Sequence, residues 1–148
     1  MCIRKGADMV GEETAKRLVQ EALAAREKAY APYSHFRVGA ALLTKDGRIY
    51  TGCNIENAAY GPSNCAERTA FFKAVSEGER SFQAIAVAGA GEKDDGQYAT
   101  PCGVCRQVMA EFCRPGEFEV IIANTAGEHY SRTLGELLPD GFGAANLE

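Results

Sequence analysis

The sequence reads Cys65-Ala66-Glu67 at one point and Pro101-Cys102-Gly103-Val104-Cys105 further on. Together the two segments offer three thiols and one carboxylate. Three thiolates around a zinc ion leave one coordination position open, as in catalytic zinc sites. A carboxylate beside that position can move protons. The pattern therefore predicts one zinc ion per chain, with Cys65, Cys102 and Cys105 as its ligands and Glu67 as the catalytic group.

Both segments fall at the predicted start of a helix. Helix N-termini carry a partial positive charge, which lowers thiol pKa values and favours the thiolate that binds metal. Cys102 and Cys105 are three residues apart and share one helix face. The two helix starts are therefore expected to meet at one ion. Arg68 directly follows Glu67 and is expected to hydrogen-bond a ligand sulfur from outside the coordination shell.

Hydrophobic periodicity around these segments predicts a series of helices and strands. Helices are predicted at about 12–30, 65–77, 101–112 and 133–138, the last with Thr133 as its N-cap and Glu136 three residues on. Strands are predicted at 36–43, 49–54, 82–88, 118–123 and about 128–131. This order favours a mixed α/β sandwich with helices covering the sheet. The length of 148 residues predicts a single domain, 1–148.

The bulk composition narrows the class of protein. A chain with 46% hydrophobic and 24% charged residues is typical of a soluble globular protein. It has no apolar run near the roughly 20 residues of a membrane helix, and its start has no apolar core of a secretory signal. A cytoplasmic protein is therefore expected. The net charge of −4 disfavours a nucleic acid polymer as partner and favours a small substrate without phosphates.

Other interpretations of the cysteines remain open at this point. The cysteines are Cys2, Cys53, Cys65, Cys102, Cys105 and Cys113. Disulfides are disfavoured in a reducing cytosol. Cys53 or Cys113 could complete a closed four-thiolate structural site. The Cys-x-x-Cys pair could be redox-active, although the βαβ opening of thioredoxin-like proteins is missing. Cys2, Cys53 and Cys113 are otherwise interpreted as small apolar or exposed residues.

Further blocks of sequence carry a resemblance to a known family. They are Ala31-Pro32-Tyr33-Ser34 with Phe36 and residues 38–42, the stretch Gly52-Cys53-Asn54-Ile55-Glu56-Asn57-Ala58, and Leu137-Leu138-Pro139 with Phe142. Together with residues 65–70 and 101–107, they make most of the chain resemble the small, homotetrameric, zinc-dependent cytidine deaminases. The resemblance implies a three-layer α-β-α sandwich with a mixed five-stranded sheet. It also implies a hydrolase that acts on a cyclic amidine, converting cytidine and 2′-deoxycytidine to uridine products and ammonia in pyrimidine salvage.

The same resemblance implies roles for substrate-binding residues. Asn54 and Glu56 are expected to hydrogen-bond the ribose, chiefly its 3′-hydroxyl. Phe36 is expected to pack against the pyrimidine, and the backbone of Ala58, with Glu67, to read the edge of the base. Without the resemblance, solvated strand-end polarity would explain Asn54 and Glu56 as well, and core packing would be the default for Phe36.

Two residues are expected to act between subunits. The resemblance implies that Tyr60 and Phe142 reach the site of a neighbouring subunit in a homotetramer. Gly141 and Gly143 flank Phe142, which favours a projecting segment. The alternative is that Phe142 folds back onto its own core, as Phe often does.

Three rival functions stand beside this expectation. Blasticidin-type deaminases share the fold and zinc site but differ around residues 54–57. A polynucleotide-editing deaminase would more often use His-x-Glu at the first ligand and show a basic face. A non-enzymatic zinc module would release no ammonia from cytidine. The sequence leaves open whether cytidine or 2′-deoxycytidine is preferred and whether the reaction serves salvage or catabolism. Residues 92–100 are not informative.

Overall fold

The computed structural model describes residues 9–148. Its helices are α1 (Glu12–Arg26), α2 (Ala66–Ser76), α3 (Gly103–Phe112) and α4 (Leu134–Leu137), followed by a 3-10 turn at Ala144–Leu147. Its strands are β1 (Arg37–Thr44), β2 (Ile49–Cys53), β3 (Phe82–Ala90), β4 (Glu119–Ala123) and β5 (His129–Thr133). The role of Cys2 and the nature of the chain start lie outside the described residues. Within residues 9–148, none of the helices combines the length and apolarity needed to cross a bilayer.

The five strands form one mixed sheet in the order β2-β1-β3-β4-β5. Only β3 and β4 pair in parallel, while the other neighbours are antiparallel. Short turns suffice for the antiparallel hairpins, whereas a parallel pair needs a crossover, which α3 and its loops provide. The predicted five-stranded mixed sheet is confirmed.

Two hydrophobic cores lie on opposite faces of the sheet. Successive side chains of a strand point to opposite faces, so β1 sends Ala40 and Leu42 into one core and Ala41 and Leu43 into the other. The first core is closed by α2, α3 and α4, and the second by α1. This confirms the three-layer α-β-α sandwich.

Two glycines set how closely the helices approach the sheet. A Cβ at Gly39 would lie 1.9 Å from the carbonyl oxygen of Ala22, so α1 touches the backbone of β1. A Cβ at Gly52 would lie 2.5 Å from both the Ala66 oxygen and the Ala70 nitrogen, so α2 touches β2 in the same way. The absence of side chains there allows both close approaches.

An aromatic cluster fixes α2 and α3 against the sheet. Its members are Phe71, Phe82, Phe112 and Phe118, and the paired ring centroids lie between 5.1 and 6.3 Å apart. Such distances are favourable for aromatic pairs. The two helices that carry the predicted metal ligands are therefore held by a shared, buried cluster.

Element boundaries differ from the prediction in two informative places. Helix α1 ends at Arg26 rather than near Tyr30, because the amide of Tyr30 donates to the carbonyl of Asn54 at 3.0 Å. That long-range pairing outweighs helix periodicity. Helix α3 begins at Gly103, two residues after the predicted start at Pro101, and Cys102 is its N-cap.

Candidate active site and metal centre

A cavity of about 400 Å³ opens at the edge of the sheet where β3 ends and β1 begins. Ligand pockets commonly measure about 300–1,000 Å³. Its walls come from the turn before β1, the end of β2, the loop before α3, and the first residues of α2 and α3. Six of the predicted site residues line it, namely Phe36, Asn54, Glu56, Cys65, Glu67 and Cys102.

The three predicted zinc ligands converge beside this cavity. The sulfur atoms of Cys65, Cys102 and Cys105 all lie within 4.8 Å of one another, and those of Cys65 and Cys102 are 3.8 Å apart. A tetrahedral zinc ion with Zn–S bonds of about 2.3 Å places neighbouring sulfurs about 3.8 Å apart. The three thiols therefore fit one zinc ion. In the described part of the chain, neither Cys53 nor Cys113 joins this group, so a closed four-thiolate site does not form.

The local structure explains why these sulfurs converge. Cys65 and Cys102 are the N-cap residues of α2 and α3, and neither sulfur caps its own helix. Cys105 is buried one turn into α3. Both helix N-termini therefore direct their partial positive charge at the sulfurs, which stabilises thiolates. Cys53, Cys65, Cys102, Cys105 and Cys113 are free, so no disulfide joins cysteines within residues 9–148.

Polar contacts link the thiols to one another and to Arg68. Nη2 of Arg68 donates to Sγ of Cys65 at 3.4 Å. The proximity of Cys105 lowers the pKa of the Cys65 thiol, whereas the proximity of Cys65 and burial raise the pKa of the Cys105 thiol. Three thiolates carry one more negative charge than a zinc ion neutralises. The guanidinium of Arg68 supplies a compensating positive charge at the sulfur.

Glu67 lies in the first turn of α2 and is buried, with 4% of its surface exposed. Burial raises the pKa of its carboxyl from 4.5 to about 7, and the neighbouring Cys65 adds to the rise. A carboxyl with a pKa near neutrality can both take up and release a proton during a reaction. Glu67 thus has the position and the acidity of a proton-transfer group.

Asn54 is held by the backbone of the β1 region. Its Oδ1 accepts from the amide of Val38 at 2.8 Å, and its Nδ2 donates to the carbonyl of Phe36 at 2.7 Å. A carboxamide has two donor hydrogens and two acceptor lone pairs. Asn54 therefore keeps one donor and one acceptor for a ligand in the cavity.

Glu56 is held by the turn before β1. Its Oε1 accepts from the amides of Tyr33 at 3.0 Å and Ser34 at 3.1 Å, while the hydroxyl of Ser34 donates to Oε2. These hydrogen bonds, that of the Ser34 hydroxyl first, lower the pKa of the Glu56 carboxyl. Glu56 therefore stands in the cavity as an oriented carboxylate.

Three predicted substrate-binding residues do not line this cavity within the part of the chain described. Ala58 and Tyr60 lie on the exposed loop after β2. Tyr60, whose side chain is largely in solvent, lines an adjoining hollow of about 290 Å³ that shares Ser34 and Glu56 with the cavity. Phe142 lies on the C-terminal segment, with 58% of its surface exposed. Its carbonyl accepts from Nε2 of Gln107 at 2.7 Å. Phe142 therefore does not fold back into its own core.

The structure adds cavity residues that the sequence did not single out. Ser34, Tyr98 and Thr100 all line the cavity. Ser34 belongs to the block of residues 31–34 that carries part of the family resemblance, but no role was predicted for it. Residues 92–100 have no periodic pattern, so the sequence did not indicate that Tyr98 and Thr100 would lie in the site. They reach the site because this loop connects β3 to α3, and the ring of Tyr98 packs edge-on against Tyr130 at 5.2 Å.

Known proteins share this arrangement and sequence. The family model for the cytidine and deoxycytidylate deaminase zinc-binding region matches residues 12–121. A cytidine deaminase from Sporosarcina psychrophila is 54% identical over 132 residues, which cover 89% of this chain and 93% of that relative. One from Halalkalibacterium halodurans is also 54% identical, over 130 residues that cover 88% of this chain and 95% of that relative.

A solved structure agrees with the sequence comparison. The crystal structure of cytidine deaminase from Burkholderia pseudomallei superposes with a TM-score of 0.79 at 50% identity, covering 90% of this chain and 100% of that chain. The residues matched by the family model include Glu67 and the cysteines at 65, 102 and 105. The chain therefore belongs to the cytidine and deoxycytidylate deaminase family.

Proposed function

We propose that the protein hydrolyses cytidine and 2′-deoxycytidine to uridine and 2′-deoxyuridine with release of ammonia. The observation that carries this function is the cluster of three thiols, at zinc-like spacing, beside the buried carboxyl of Glu67 in one cavity. Relatives that are 54% identical over about nine-tenths of the chain are cytidine deaminases. The protein would act in pyrimidine salvage in the cytoplasm, as a single deaminase domain over residues 1–148.

The reaction consumes one water and releases one ammonia. Water adds at C4 of the cytosine ring, and the amino group leaves from the same carbon. Cys65, Cys102 and Cys105 would hold a zinc ion, which would supply Lewis acidity and make a water molecule easier to deprotonate. Glu67 would take one proton from the attacking water and deliver it to N3 of the ring. It would then carry the second proton of that water from the hydroxyl at C4 to the amino group, which leaves as ammonia. Arg68 holds the sulfur of Cys65 in place throughout.

The remaining cavity residues would hold the nucleoside. Phe36 packs against the base, while Asn54 and Glu56 bind the sugar. The backbone of Ala58, which lies outside this cavity on the loop after β2, would read the edge of the base together with Glu67. The shared cavity that Phe36, Asn54 and Glu56 form with Glu67 supports this assignment.

The charges around the cavity favour an uncharged sugar. The described residues that line the cavity include the carboxylate of Glu56 but no Lys, Arg or His. A phosphate there would face a negative charge without a compensating cation. We therefore expect nucleosides to be preferred over nucleotides.

The active unit would be a homotetramer with shared sites. Tyr60 is 74% exposed and Phe142 is 58% exposed, and neither lines the cavity of its own chain in the described residues. Large exposed aromatic side chains commonly mark an interaction surface. A neighbouring subunit whose site they complete explains both positions, and closed symmetry favours a dimer of dimers.

The test is the loss of ultraviolet absorbance when purified, zinc-replete protein is mixed with cytidine or with 2′-deoxycytidine. We expect deamination of both nucleosides, little activity on cytidine monophosphate, and one zinc ion per chain by metal analysis. Protein that contains zinc but releases no ammonia from either nucleoside would refute the function and favour a non-enzymatic zinc module. Equal activity on the monophosphate would refute the preference for nucleosides.

A further inference from the structure

The hydroxyl of Ser34 connects two parts of the cavity. It donates to Oε2 of Glu56 at 2.5 Å and accepts from the amide of Phe36 at 3.0 Å. The amide of Ser34 also donates to Oε1 of the same carboxylate, at 3.1 Å. One serine therefore contacts both oxygens of Glu56 and the backbone of Phe36.

The turn that presents Ser34 has an unusual backbone. The amide of His35 donates to the carbonyl of Ala31 at 3.0 Å, and His35 has a φ of 57°, in the left-handed region. This conformation is unfavourable for residues other than glycine, so it persists only where surrounding contacts hold it. The chain reversal at His35 brings the amide of Phe36 back to the hydroxyl of Ser34. The contacts of Ser34 and Glu56 are among those that hold the turn.

Three hydrogen bonds restrict the orientation of the Glu56 carboxylate. A carboxylate offers roughly four acceptor positions. The amides of Tyr33 and Ser34 occupy Oε1, and the hydroxyl of Ser34 occupies one position on Oε2. One acceptor position on Oε2 is left for a ligand that can donate a hydrogen bond. Without the Ser34 hydroxyl, water would compete for Oε2 and the carboxylate could turn.

We propose that Ser34 is a positioning residue for the sugar subsite, whose hydroxyl fixes Oε2 of Glu56 and the backbone of Phe36 as one unit. This inference rests on the proposed roles of Glu56 and Phe36 in nucleoside binding. A sugar hydroxyl then meets an acceptor that is already oriented, so less rotamer freedom is lost on binding. The sugar and base subsites also keep a fixed separation.

The experiment compares Ser34→Ala with Ser34→Thr and a matched control, Ser76→Ala. The control removes a hydroxyl that donates to the carbonyl of Lys73 at 2.7 Å, at the end of α2. Ser34→Ala should raise KM for cytidine about 5- to 20-fold and leave kcat within about twofold, because a hydrogen bond to a charged group is lost at a partly exposed site. Ser34→Thr keeps the hydroxyl and should restore KM to within about twofold of the native value. Ser76→Ala should behave like the native protein.

Measurements with a second substrate, 3′-deoxycytidine, distinguish the loss of Glu56 positioning from general damage to the structure of the site. It lacks the hydroxyl assigned to Glu56, so Ser34→Ala should raise its KM by about twofold or less. An equal rise for both nucleosides would overturn the inference, since it would indicate damage unrelated to the sugar. An unchanged KM for cytidine would overturn it as well.

A spectroscopic measurement tests the contact without relying on activity. Carbon NMR of the Glu56 carboxyl during a pH titration reports its pKa directly. The Ser34 hydroxyl is the first contributor to the lowered pKa of Glu56, so Ser34→Ala should raise that pKa and Ser34→Thr should not. If the native protein proved inactive on cytidine, the proposed function would fail, whereas this titration would still decide whether Ser34 holds Glu56. An unchanged titration in Ser34→Ala would refute the contact itself.

Discussion

At the scale of single residues, Glu67 combines burial with a place beside the metal ligands. It is separated from Cys65 by one residue and shares a cavity with Cys65 and Cys102. Glu67→Gln keeps the size and shape of the side chain but cannot accept a proton. We expect kcat on cytidine to fall by about 10²–10⁴-fold, the usual contribution of a positioned proton-transfer group. The zinc content should stay at one ion per chain, because the three thiols are unchanged.

Glu77→Gln provides the matched control for this substitution. Glu77 is the exposed residue at the other end of α2, away from the thiols. Its substitution should leave both kcat and zinc content at native values. Near-normal turnover by Glu67→Gln would show that another group transfers the proton.

At the scale of secondary-structure elements, the contact of α2 with β2 determines where the metal ligands lie. The added Cβ in Gly52→Ala would sit 2.5 Å from the backbone of Ala66 and Ala70, so α2 must move. Overpacking of this kind typically costs about 1–3 kcal/mol in the free energy of unfolding. Because α2 begins at Cys65 and carries Glu67, its movement should also weaken zinc binding. Urea unfolding and a zinc competition titration measure the two effects.

Gly116→Ala is the control for the glycine substitution. A Cβ at Gly116 would meet nothing within 4 Å. Its free energy of unfolding should stay within about 0.5 kcal/mol of the native value, as for most surface substitutions. A stable, zinc-replete Gly52→Ala protein would show that α2 does not depend on this close approach.

At the scale of the whole molecule, the exposed side chain of Phe142 predicts a tetramer with shared sites. Light scattering of the active protein should give a mass of about four chains of 15.9 kDa each. Phe142→Ala should raise KM for cytidine about tenfold, because a buried aromatic contact with the nucleoside would be lost. Zinc content should not change, since Phe142 lies outside the thiol cluster.

Leu147→Ala offers a comparison on the same C-terminal segment. Leu147 is 80% exposed and has no proposed contact with substrate. Its substitution should leave KM near the native value. A fully active monomer would contradict the shared-site arrangement, as would a Phe142→Ala protein whose KM and kcat are unchanged.

The sequence by itself determined the features that depend on local chemistry. The cluster of Cys65, Cys102 and Cys105 beside Glu67 was predicted from ligand spacing within a helical turn and from the positive end of a helix, which are short-range properties. The capping box of Thr133 and Glu136 was predictable for the same reason, and the structure confirms it. Periodicity gave the five strands and the main helices, although it placed the end of α1 and the start of α3 wrongly. The three-layer arrangement with a five-stranded sheet and the proposed roles of Asn54 and Glu56 came from resemblance to a family.

Only the tertiary structure decided the geometry in which distant residues meet. The sulfurs of Cys65 and Cys102 converge across 37 residues of chain, and Ser34 reaches Glu56 across 22. The burial that raises the pKa of Glu67 depends on the elements packed around α2, and the loop with Tyr98 enters the cavity only because β3 must connect to α3. The end of α1 at Arg26 likewise follows from the pairing of Tyr30 with Asn54. These contacts join segments far apart in the chain, and a local pattern does not contain the packing that brings them together.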